Sequence, residues 1–81
     1  MAYQVLENNE PIVNYLIADW KESIFDDYHE AQVYAYSWAY PLDIIDIRNL
    51  VENNPFVLGE EKDCSMSEFK IMMKIIEYKN D

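Results

Sequence analysis

The chain has 81 residues, half of them hydrophobic and 15% aromatic, with sixteen acids against six bases and a formal net charge of −10. That length makes a single small acidic domain over residues 1–81, too small to enclose a deep catalytic cleft. That composition excludes a disordered chain, and that charge disfavours nucleic acid and anionic membranes as direct ligands.

No uncharged run approaches the ~20 residues that a bilayer-spanning helix needs. No basic stretch leads into an apolar one as in a secretion signal, and the single cysteine, Cys64, forms no internal disulfide, so a reducing, cytoplasmic setting is expected. One glycine and three prolines leave no linker or low-complexity segment. The charge is uneven: nine acids and one base, Lys21, precede residue 48, against seven acids and five bases from residue 48 on.

Residues 2–8, "AYQVLEN", alternate loosely, with Tyr3 and Val5 on one side and Gln4 and Leu6 on the other, which predicts a first strand. "NNEP" then reads as a turn. Residues 11–25 fit two templates. Val13, Leu16, Ile17, Trp20 and Ile24 share a helical face, whereas Ile12, Val13, Tyr15 and Ile17 are strand formers. A two-residue turn after the first strand would favour a hairpin strand over residues 12–18.

"DDYHEAQVYAYSWAYP", residues 26–41, alternates aromatics as a strand would, yet its ends are those of a helix. Asp27 with Glu30 three residues later forms an acidic capping box, with Asp26 as an alternative cap. Three alanines favour helix and Pro41 cannot continue one. The expectation is a central helix over ~27–40 with Ala31, Tyr34, Ala35 and Trp38 buried, and Tyr36 and Tyr40 on a different, partner-facing flank. Residues ~43–53 predict a second helix through Ile44, Ile47 and Val51, ending at Asn53–Asn54 before Pro55; a strand through "DIIDIRNL" is the rival. Gly59 suits a left-handed turn in the following loop. In the tail, Ser65 with Glu68 would cap a helix. Phe69, Ile71, Met73 and Ile75 alternate instead as an edge strand whose lysines, Lys70 and Lys74, keep neighbours away. The expected fold is α+β, a small antiparallel sheet packed against a central helix, with an all-α four-helix bundle as the alternative.

Motifs of chemistry are sparse. The only histidine, His29, lies in the first helical turn and reads as a solvated residue. Cys64 sits among acids that disfavour its thiolate. One cysteine and one histidine do not complete a zinc site, and "GEEKDC" matches no calcium loop. A lone glycine builds no phosphate cradle, so no catalytic residue, metal or cofactor is expected. Direct nucleic-acid binding would need a positive groove beside the aromatics.

Binding to protein is left. Asp19, Glu22, Asp26, Asp27 and Glu30 fall within twelve residues, flanking a helix start whose dipole favours anions. Tyr36 and Tyr40 would add aromatic contact area, as Tyr does at interfaces. In size and charge the chain resembles the small acidic proteins of phages and other mobile elements. The expectation is a non-enzymatic inhibitor of a basic partner, a nuclease of the restriction or CRISPR type, whose nucleic-acid surface it occupies as a DNA mimic. An immunity or antitoxin protein against a basic toxin, and a homodimeric structural or adaptor protein, are the alternatives.

Overall fold

Asn8 and Asn9 both have positive φ, 50° and 68°, the pair of left-handed residues that a two-residue type I′ hairpin requires and that asparagine tolerates. The computed structural model describes residues 1–12 and 24–79. In it the hairpin joins β1 (Ala2–Glu7) to the two-residue β2 (Glu10–Pro11), with Leu6 opposite Pro11. The hairpin expected after the first strand is there, and its return begins at Glu10. Most of the strand expected over 12–18 lies outside the described residues.

β3 (Ile24–Phe25) also pairs with β1, and α1 (Tyr28–Ala39) follows. α2 spans Ile44–Asn53, and β4 (Lys62–Asp63) and β5 (Met72–Tyr78) complete the described chain. The sheet is antiparallel, ordered β2-β1-β5-β4, with β3 on the β2 side of β1. The fold is α+β, and the all-α bundle is not what forms. β5 pairs along the whole of β1, from Ala2 opposite Tyr78 to Glu7 opposite Met73. The tail strand is therefore interior between β1 and β4, not an edge. Its Lys74 is engaged, donating to Asn9 Oδ1 at 3.1 Å and lying 3.9 Å from Glu61. Nor does Ser65 cap a helix: its Oγ accepts from Ile71 N at 3.1 Å, and Met66 and Phe69 close a tight turn that leaves Phe69 on the surface.

Strand periodicity puts Tyr3, Val5 and Glu7 on one face of β1. Val5 is fully buried there beside its partner Ile75, with Met73 two residues along β5. α1 covers this face and runs in the same direction as β1. Tyr3 meets Tyr28 at the start of the helix, ring centroids 5.2 Å apart, and Glu7 meets Trp38 near its end. Four residues of strand rise ~13 Å and ten of helix ~15 Å, so the two elements match in length.

Ala31, Ala35 and Ala39, four residues apart, are buried along the centre of the helix's inner face. Their small side chains let α1 lie close to its neighbours. Asp27 caps α1, its Oδ1 accepting from His29 N at 2.9 Å, and Asp43 caps α2 in the same way through Asp46 N at 3.0 Å. Ile47 and Val51 complete the core from α2. Gly59, with φ 83°, turns the chain so that its N–H reaches Ile75 O at 2.8 Å.

Candidate protein-interaction surface

The flanks of the alanine row decide what α1 shows to solvent. On one flank stand Tyr28, Gln32, Tyr36 and Tyr40, each four residues on from the last. All four are tied down. Tyr28 Oη donates to Phe56 O at 2.7 Å, Gln32 Oε1 accepts from Phe56 N at 2.7 Å, and Tyr36 Oη donates to Asn54 O. Tyr40 completes the row, its ring stacked on that of Tyr36 with centroids 6.1 Å apart. This stripe clamps the extended segment that follows α2, giving partners to backbone groups that would otherwise be buried unpaired. Tyr36 also packs on Phe56, centroids 4.9 Å apart, and is only 2% exposed.

That reverses the expected division of the aromatics. Tyr36 is core, Tyr40 is half-buried against it, and neither forms an outward pair. The residues expected inside, Tyr34 and Trp38, stand on the other flank, Tyr34 half-buried and Trp38 exposed. Burial holds the Tyr36 hydroxyl up at about 12, with Cys64 and Tyr40 adding to it. Burial likewise raises Tyr28 and Tyr40, and it raises the Cys64 thiol.

In the unfolded chain these tyrosines ionise near pH 10. Between about pH 10 and 12 the folded state therefore binds more protons than the unfolded one. The contribution of Tyr36 to stability is complete below pH 10 and is lost as pH rises through about 12. The urea midpoint of the protein should fall across that window, and less steeply in Tyr36→Phe. Equal slopes for the two proteins would contradict the placement of Tyr36.

The outer flank carries Glu30, Tyr34 and Trp38, again four residues apart, with Asp26 and Asp27 at its N-terminal end. Asp26, Asp27 and Glu30 are exposed; Asp19 and Glu22 lie outside the described residues. Phe25 packs on Tyr34 at 5.1 Å, Tyr34 stacks on Trp38 at 6.4 Å, and Trp38 Nε1 donates to Glu7 Oε2 at 2.8 Å. A row of aromatic rings thus runs along the helix with carboxylates at both ends. Beyond it, Leu42, Ile44 and Ile45 are exposed at the corner into α2, where Asp43 and Asp46 also stand. Sequence reasoning missed Glu7 as part of this surface, although its place on the Tyr3–Val5 face was the available signal.

Of the sixteen acids, all but Asp19, Glu22 and Asp81 lie among the described residues, and there only Glu61 meets a base, Lys74. Lys62 is turned inward over the Phe56 ring, 5.5 Å from its centroid. Among the described residues no three of His, Cys, Asp and Glu converge as metal ligands, and no helix is long and apolar enough to cross a membrane. No family model matches the chain, and no curated protein or solved structure matches it either.

Proposed function

We propose that this is a non-enzymatic inhibitor that binds a basic protein through the outer face of α1, occupying a surface that otherwise holds nucleic acid. The observation that carries the reading is the joining of unpaired acids to oriented aromatics on one helix face. Asp26, Asp27 and Glu30 lead into Tyr34 and Trp38, and Glu7 closes the row. Carboxylates supply long-range attraction and register, and the rings supply the desolvated contact that fixes a complex.

Scale supports it. The molecule measures 36 × 24 × 22 Å, and duplex DNA of the longer dimension carries about 21 phosphates at one per ~1.7 Å. Sixteen acids in a body of that size are a comparable number. Partners of the restriction or CRISPR nuclease type, met by phages and mobile elements, have the basic groove this surface would fill. A toxin neutralised by an immunity or antitoxin protein would present the same chemistry.

A second reading, self-association as a homodimeric structural or adaptor protein, has the exposure of Leu42, Ile44 and Ile45 in its favour. The charge of −10 on each copy opposes it. The test of the main reading is release of a fluorescent duplex from such a nuclease, followed by anisotropy as the protein is added. Release at ~0.05 M salt that weakens towards ~0.5 M is expected, because screening shortens the reach of the acids. Failure to displace the duplex at either salt across a panel of basic nucleases would contradict it.

A further inference from the structure

Trp38 is 44% exposed, yet its ring is fixed from two sides. The indole N–H donates to Glu7 Oε2 at 2.8 Å, and Tyr34 stacks against the ring with 24° between the planes. Tyr34 is in turn backed by Phe25. A partly exposed indole is thereby presented with a carboxylate held at its edge. The second oxygen of Glu7 accepts no hydrogen bond from a described residue. The cation seen over a ring among the described residues is elsewhere, Lys62 over Phe56.

Tryptophan is the best of the rings for a cation, and exposed pairs favour binding by about two- to fivefold. A guanidinium is planar and weakly hydrated, so it can lie flat on an indole while its edge donates to a neighbouring carboxylate. An ammonium is a strongly hydrated point charge and gains less from such a site. We infer that Trp38 and Glu7 form a receptor for an arginine side chain presented by the basic partner. Charge complementarity chooses the occupant: the indole is partly exposed, the Glu7 carboxylate is held at its edge, and no cation of the described chain lies over it. The receptor rests on the reading of the α1 face as the binding face, and it adds a preference for arginine over lysine.

The probes are octa-arginine and octa-lysine peptides, equal in charge, titrated into 15N-labelled protein at ~0.05 M salt. The arginine peptide should bind about two- to fivefold more tightly and should move the Trp38 indole N–H resonance. In Trp38→Leu and in Glu7→Gln that preference should disappear, with both peptides binding as the lysine peptide does. Should Trp38→Leu fail to fold, Glu7→Gln and the wild-type indole shift decide the matter. Equal affinity for the two peptides, an unmoved indole, or a preference that survives in Glu7→Gln would overturn the receptor while leaving the acidic face standing. Absence of binding by either peptide would overturn both.

Discussion

Tyr36→Ala should cost about 3–5 kcal/mol of folding stability, the range for removing a buried aromatic ring. A chain of this length has a total of only ~4–12 kcal/mol, at ~0.05–0.15 kcal/mol per residue, so the variant should be extensively unfolded at 37 °C. The ring fills the space between α1 and Phe56, and its hydroxyl supplies Asn54 O, so truncation leaves both a cavity and an unpaired carbonyl. Tyr36→Phe separates the two. It keeps the ring and should lose ~1–3 kcal/mol, the cost of a buried acceptor left without its donor. Urea unfolding followed by circular dichroism measures both. If Tyr36 faced a partner instead, Tyr36→Ala would leave the unfolding midpoint where it was and weaken binding alone.

The flank that turns inward is decided by partners distant in sequence. Ala31 and Ala35 belong to the buried face both in the sequence reading and in the structure, and the question is which flank turns inward with them. The flank of Gln32, Tyr36 and Tyr40 looks the more polar, because glutamine and tyrosine hydroxyls favour water when unpaired. Here the polar atoms find backbone partners in residues 54–56. Those partners come from more than twenty residues away for Gln32, and no local pattern announces them. The other flank, with Glu30, Tyr34 and Trp38, is the one that faces outward.

Elements with strong ends were legible. Asp27, the alanines and Pro41 bound the central helix, and the structure places it over Tyr28–Ala39 with Asp27 as its cap. Asn53–Asn54 before Pro55 ended the second helix correctly. The alternation of Met73 and Ile75 identified the tail strand, but the lysines beside it suggested an edge. Register with β1 and pairing with Lys62–Asp63 put it inside the sheet, and Lys74 serves to tie the Asn8–Asn9 hairpin to Glu61. Such pairing depends on contacts some sixty-five residues apart in sequence, which propensity does not carry. For the candidate surface, the acids at the start of α1 were visible from charge alone. Their aromatic companions were not, since that needed the orientation of the helix.

Removing the charge of that surface without disturbing its helix is the second large effect expected. Asp26→Asn/Asp27→Asn/Glu30→Gln takes the net charge from −10 to −7 and keeps every side chain nearly isosteric. Asparagine caps a helix about as well as aspartate, so the bond to His29 N has a replacement acceptor. Lost attraction to the helix dipole is offset by relief of repulsion in a strongly anionic chain, and the unfolding midpoint should stay close to that of the wild type. Binding should not. One contact between opposite charges at ~4 Å in a water-like medium is worth about fivefold in affinity at low salt, and three together about a hundredfold.

The measurement that bears most directly on the acidic face of α1 is therefore release of labelled duplex from a basic nuclease by the wild type and by this triple variant, side by side at ~0.05 M salt. Wild-type protein should displace the duplex, and the variant, equally folded, should need about a hundredfold more protein to do so. Displacement by both at the same concentration would show that the nuclease is held by some other surface, and the account given for α1 would be wrong.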